Sequence, residues 1–152
     1  MTPGPAWSIA AALQAYEPDY RFLATFGDSI LPQLEEIIAG TDEALASRAL
    51  LLAIQIGGSQ AIALVLRYRN DPRPQLRAVL AARGAKLGVE PIMQMLPVLL
   101  GDPDPSIRRL AAGSAAHGDR RILAHLRQLE ATDAEPMVRR AATAAIRSIE
   151  AR

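Results

Sequence analysis

The residues with the widest chemical repertoire here are two histidines, His117 and His125, and the adjacent carboxylates Glu35 and Glu36. A helical zinc site needs a second ligand at i+3 or i+4, and neither histidine has a carboxylate or another histidine there. Glu35 and Glu36 are neighbours on a predicted helix, so their side chains diverge and make a poor acid–base pair. There is no cysteine, which removes disulfides, thiol nucleophiles and cysteine–zinc sites and fits a cytoplasmic location. No Gly-x-Ser-x-Gly, phosphate-cradling glycine loop or dinucleotide fingerprint occurs. No catalytic residue, cofactor site or metal site is therefore assigned. The chemistry that remains is the binding of anions by arginine, which supplies 16 of the 17 basic residues.

Those arginines follow a period. Asp71, Asp102 and Asp133 stand 31 residues apart, and Pro74, Pro105 and Pro136 keep the same step. So do Arg77, Arg108 and Arg139, and the aliphatic series Leu45, Leu76, Ile107 and Val138. A fixed period of this length marks an array of helical hairpins. The outer helices are predicted at 29–39, 59–70, 90–100 and 120–131, and the inner ones at 43–56, 74–87, 105–117 and 136–151. The prolines fit a first helical turn, where a missing N–H costs nothing. Asp42 and Asp104 are predicted N-caps, and Arg73 is a poor one. The inner helices are rich in small residues, such as Ala111, Ala112, Gly113, Ala115 and Ala116, which let helices approach closely.

Asp-x-x-Pro-x-aliphatic-Arg, followed by an Ala-rich helix and a Gly-Asp or Gly-Gly turn, resembles the HEAT repeat. It is closest to the short bacterial HEAT-like class first named for phycobilisome lyases. The resemblance covers residues 28–150 well and 1–27 poorly. It implies an all-α, right-handed solenoid of about four hairpins (28–58, 59–88, 89–118 and 119–152) behind a degenerate N-terminal cap, 1–27. It also implies a structural ladder between neighbouring repeats, from the turn aspartate and the arginine six residues later: Asp71 with Arg77, Asp102 with Arg108, Asp133 with Arg139. The first repeat has Gly40 and Ala46 at these places, so its rung is expected to be missing.

The first segment holds Trp7, Tyr16, Tyr20, Phe22 and Phe26, with Tyr68 the only aromatic elsewhere. It reads as two short helices, one over 7–16 and a stubby one over 20–26. They serve either as a cap closing the array or as an aromatic docking surface. Residues 49–66 carry no charge, near the lower limit for a membrane span. The break at Gln55-Ile-Gly57-Gly58-Ser59-Gln60 instead predicts two packed helices, and no membrane partner.

Stacked in register, the inner helices align Ser47, Ala78, Arg109 and Arg140 in one row. A second row has Ile54, Ala85, Ala116 and Arg147, and a third Gln55, Lys86, His117 and Ser148. Lys86, Arg109, His117, Arg140 and Arg147 thus form a candidate partner-binding ridge, whose arginine forks suit acidic side chains or phosphates. Without a partner, the same residues are a solvated face for an Ala-rich protein. The net charge is +1, so no global field draws the chain to nucleic acid. Residues 1–45 nevertheless hold seven acids against Arg21, which makes head-to-tail association of copies a possible homo-oligomer. The expected function is a non-enzymatic protein-interaction scaffold using the inner-helix face. A bilin-lyase-like enzyme or subunit is the alternative, and nucleic-acid binding a third and weaker one.

Overall fold

In a computed structural model, residues 8–152 are described. The predicted helix at 7–16 is reduced to α1, Ile9–Leu13, with Ser8 capping the Ala11 N–H; Trp7 lies outside the described residues. No strand occurs among the described residues. The chain divides into two compact units, Met1–Arg67 and Tyr68–Arg152. The division falls inside the second predicted repeat, just after its outer helix, which is predicted over 59–70 and ends at Leu66.

In the first unit, α2 (Tyr20–Ala24) follows α1 and is capped by Asp19, which accepts from the Phe22 N–H. A 3-10 turn over Gly27–Ile30 then leads into α3 (Leu31–Ala39), with Pro32 in the first turn. The predicted outer helix beginning at Ser29 thus has a 3-10 entry. Helix α4 (Glu43–Ile56) starts at Asp42, whose carboxylate accepts from the Leu45 N–H. Gly57 and Gly58 have φ of 67° and 81°, a region that only glycine enters without strain. They turn the chain into α5 (Gly58–Leu66), which packs on α3 and α4. The uncharged stretch is therefore two helices, and among the described residues no helix is long and apolar enough to cross a membrane.

Leu34, Ile38, Leu50, Leu52 and Ala53 of this unit are fully buried. Helices α1 and α2 pack against α4 and contribute Ile9, Leu13 and Leu23 to the same interior, with Phe26 just after α2. The Arg48 Nη1 of α4 clamps α1 in place by donating to the carbonyls of Leu13 (2.6 Å) and Ala15 (2.9 Å). Burial raises the Tyr20 phenol above its ordinary value, against the opposing effect of the Arg48 charge. The aromatic rings divide: Phe26 is inside and meets Phe22 in a T-shaped pair, whereas Phe22 is 51% exposed and Tyr16 94%.

The second unit has α6 (Pro74–Arg83), a 3-10 turn over Gly84–Leu87, α7 (Val89–Leu99) and α8 (Pro105–Ala115). A further 3-10 turn, Arg120–Ile122, precedes α9 (Leu123–Thr132), and α10 spans Pro136–Glu150. The three prolines open α6, α8 and α10 within the first turn. Inner helices pack in sequence, α6 on α8 and α8 on α10, while α7 packs on α8 and α9 on α10. Small residues make these approaches possible. The Ser114 hydroxyl of α8 donates to the Ala81 carbonyl of α6. At Gly84 a Cβ would lie 2.9 Å from the Met95 sulfur, so the Met95 side chain of α7 packs directly against the Gly84 backbone.

The entries of α6, α8 and α10 each combine the same two contacts. The carboxylates of Asp71, Asp102 and Asp133 accept the N–H two residues on, at Arg73 (2.9 Å), Asp104 (2.9 Å) and Glu135 (3.0 Å). Such a turn sets the chain up for the proline that follows. The arginine six residues after each aspartate returns to the same turn. Nη1 of Arg77, Arg108 and Arg139 donates to the carbonyls of Asp71 (2.8 Å), Asp102 (2.8 Å) and Asp133 (2.7 Å).

The rest of the fork reaches onward. Arg77 holds both oxygens of Asp102, with Nε at 2.7 Å and Nη2 at 3.3 Å. Arg108 holds Asp133 likewise, at 2.8 and 3.2 Å. The carboxylate partner is thus the aspartate of the following repeat, and only a backbone carbonyl comes from the arginine's own. Asp71 takes Arg73 instead. One period before Arg77 the residue is Ala46.

These ion pairs are nearly out of water, with side-chain exposures of 13% and 2% for Arg77–Asp102 and 16% and 5% for Arg108–Asp133. The paired carboxylate raises each arginine above its ordinary value, and Arg108 lowers Asp133 below 3.8. A buried pair contributes little net stability, but losing one member leaves the other unpaired. Arg108→Ala should therefore cost roughly 3 kcal/mol, a fall in melting temperature on the order of 5–10 °C. Arg109→Ala, at an exposed position, should change it little; equal melting temperatures would contradict the ladder. Asp133 also fixes the sign of an acid effect. A depressed folded-state value gives stability that is complete above the ordinary 3.8 and is lost as pH falls through the lower value. Urea midpoints of Asp133→Asn should lie below wild type at pH 7 and approach it below pH 3.8.

A basic groove between inner helices

Three exposed cations of the second unit, Arg83, Lys86 and Arg109, come together where α6 and its 3-10 extension run beside α8. Here an open groove of about 400 Å³ is lined by Arg83, Lys86, Arg109 and His117. Its floor and walls are Ala82, Ala85, Leu110, Gly113 and Ser114. No carboxylate lines it. The geometry suits a negatively charged occupant with a small apolar surface, since arginine forks match oxyanions and alanine leaves room beside them.

Three of the five ridge residues expected from the register, Lys86, Arg109 and His117, line this groove. Arg140 and Arg147 do not; they lie exposed on α10. Arg83 is an addition that the register conceals. Its equivalents one period away, Leu52 and Ser114, are buried, so the position reads as interior. The α-helix ends at Arg83 and passes into a 3-10 turn, and the arginine is exposed. His125 lies apart, in a polar groove between α7 and α9 with Gln128 and Thr132. Among the described residues no three metal-ligating side chains come together.

The groove is basic because eight of the nine acids of this unit are engaged elsewhere, and the ninth, Glu135, does not line it. Asp71, Asp102 and Asp133 serve the helix entries, and Asp104 caps α8. Glu90 and Asp119 pair with Arg121, Glu150 with Arg127, and Glu130 accepts from the Thr143 hydroxyl. Arg83, Arg109, Arg140 and Arg147 enter no ion pair among the described residues. By sequence the second unit holds 14 basic against nine acidic residues, +5, and the first three against seven, −4.

Gly113 is the least expected residue of the groove. A glycine inside a helix is about 1 kcal/mol worse than alanine. Packing does not require it, because a Cβ there would meet nothing within 4 Å. Its effect is to leave the groove floor bare, and a local rule broken without a packing reason points to function. Gly113→Ala should raise the melting temperature by a few degrees and keep the groove open. Gly113→Leu should fold as well but fill it. Loss of stability in the alanine variant, measured by thermal unfolding, would show that the glycine is structural.

No known family pattern matches this sequence, and no curated protein matches it. Among solved structures the chain is similar to one from "The structure of the complex of CpcE and CpcF of phycocyanin lyase from Nostoc sp. PCC7120". The similarity covers 90% of this chain and 94% of that one, with a TM-score of 0.72 at 19% sequence identity. Identity this low speaks to architecture: the chain has an all-α, HEAT-like helical-repeat fold, shared with that lyase-complex chain.

Proposed function

We propose that the chain is a non-enzymatic protein-interaction module that binds an acidic partner through the inner-helix face of its second unit. The observation that carries this reading is the groove with Arg83, Lys86, Arg109 and His117 on its walls and no carboxylate among them. Arg140 and Arg147 extend the same sign of charge along α10. Surface cations of this kind raise the rate of encounter and select for acidic partners, and each adds modestly to affinity. The similar structure is a complex of two subunits, CpcE and CpcF, which supports association with protein as the use of this fold.

That neighbour also favours a second reading, a bilin-lyase-like role, in which the groove cations hold the carboxylates of a linear tetrapyrrole. Mixing the protein with phycocyanobilin and recording the visible spectrum separates the two. A shifted bilin band that Gly113→Leu abolishes would support the lyase reading; an unchanged band removes it.

The interaction reading is tested with a fluorescein-labelled oligo-glutamate peptide followed by anisotropy. Arg109→Glu should weaken binding about tenfold or more, because it reverses a charge inside the groove. Arg127→Glu, on the outer helix α9, changes net charge equally and disturbs only an exposed pair with Glu150, worth at most about 1 kcal/mol. It should weaken binding far less. Equal losses would mean that long-range charge, not the groove, holds the peptide. A duplex DNA probe run at the same salt should not outcompete the peptide; if it does, and its binding declines steeply with added salt, the face is a phosphate site and the protein-interaction reading fails.

A further inference from the structure

The rungs at Arg77 and Arg108 show what the ladder arginine takes: a carbonyl on Nη1 and a carboxylate across Nε and Nη2. Arg139 repeats the first half, with Nη1 on the Asp133 carbonyl at 2.7 Å. Among the described residues no carboxylate meets its Nε or Nη2. The side chain is half-buried, and the bond to Asp133 already orients it. A pre-oriented fork loses little freedom when it accepts a ligand, which favours binding.

The surroundings indicate what kind of group it accepts. Along the same side of α10 come Thr143 and Arg147, where α6 and α8 have Ala81 and Ala112, then Ala85 and Ala116. Alanines at these places let α6 and α8 pack closely against the next inner helix. A threonine and an arginine are too large and too polar for another alanine-rich helix to close over them. Arg140 and Arg147 are exposed and enter no ion pair among the described residues; Glu130 sits beside this face on the Thr143 hydroxyl, so three arginines stand against one carboxylate there and the balance is cationic. A second copy stacked in the ladder register is a poor occupant, because Gly40 stands one period before Asp71 and brings no carboxylate.

We propose that Arg139 is a docking socket for an aspartate of a different, acidic protein. The aspartate is held bidentately across Nε and Nη2, as Asp102 and Asp133 are held, with Arg140 and Arg147 engaging neighbouring acids. This surface shares Arg140 and Arg147 with the inner-helix face proposed above, but Arg139 does not line the groove between α6 and α8, and its socket role does not require that the groove be occupied.

The test uses the full chain and, as probe, the synthetic peptide Leu-Gly-Asp-Pro-Asp-Pro-Ser-Ile, which is residues 100–107 and carries the aspartate turn that Arg77 holds. Arginine Nε–H resonances are followed by NMR during titration at low salt. The Arg139 resonance should move in a saturable way while Arg77 and Arg108, already occupied, stay still. The same peptide with Asp102→Asn should leave Arg139 unmoved. Arg139→Lys, which keeps the charge and loses the fork, should bind about tenfold more weakly. No movement of Arg139 overturns the proposal, as does equal movement of Arg109, which lies in the groove between α6 and α8 and would report charge attraction alone. Unchanged affinity in Arg139→Lys overturns it too, and circular dichroism confirms that this variant is folded.

Discussion

The second unit depends on one constraint: a nearly buried arginine needs partners for its fork, and it finds them by joining two repeats. Arg77 and Arg108 each bond the backbone of their own turn and the carboxylate of the next. The carboxylate, in turn, holds the N–H that shapes its own helix entry. A shift of one repeat against its neighbour would therefore break a turn as well as an ion pair. The apolar interior supplies most of the stability, since each buried leucine or isoleucine contributes about 1.5–3 kcal/mol. The ion pairs contribute little net energy and chiefly set the alignment. No buried side-chain polar atom lacks a partner among the described residues, as this division of labour requires.

The same constraint shapes the surface. Using aspartates inside the ladder and at helix caps withdraws negative charge from the second unit and leaves its inner-face arginines in excess. The unit's +5 and the other unit's −4 nearly cancel in the whole-chain charge of +1. In the first unit all seven acids are exposed, from Glu17 to Glu43. A weak net charge here conceals two strong local ones, and local fields are what a docking partner meets.

The aromatic N-terminal segment illustrates how a short helix gains stability. Five residues are far too few to hold a helix alone. Helices α1 and α2 persist because Leu13 and Leu23 enter the interior beside α4 and Arg48 ties down the last carbonyls of α1. Packing claims the aliphatic residues and Phe26, and leaves Tyr16 and Phe22 to solvent.

Much of this was legible in the residues themselves. The 31-residue period, the proline at three of the four inner-helix starts and the spacing of apolar positions determined the helices, because these are local properties repeated along the chain. The capping roles of Asp42 and Asp104 followed for the same reason, a side chain reaching an N–H two or three residues away. Three decisions belonged to tertiary structure. Which aspartate each arginine holds depends on how far its side chain reaches across to the next repeat, a distance of 25 residues in sequence that no local pattern encodes. The exposure of Arg83 accompanies the passage from α-helix to 3-10 turn beside Gly84, where close packing of Met95 leaves no space for a side chain. The grouping of Lys86, Arg109 and His117 with Arg83, and the separation of Arg140 and Arg147 from them, came last. A register shows which residues share a row, but only packed helices decide which of those rows enclose a groove.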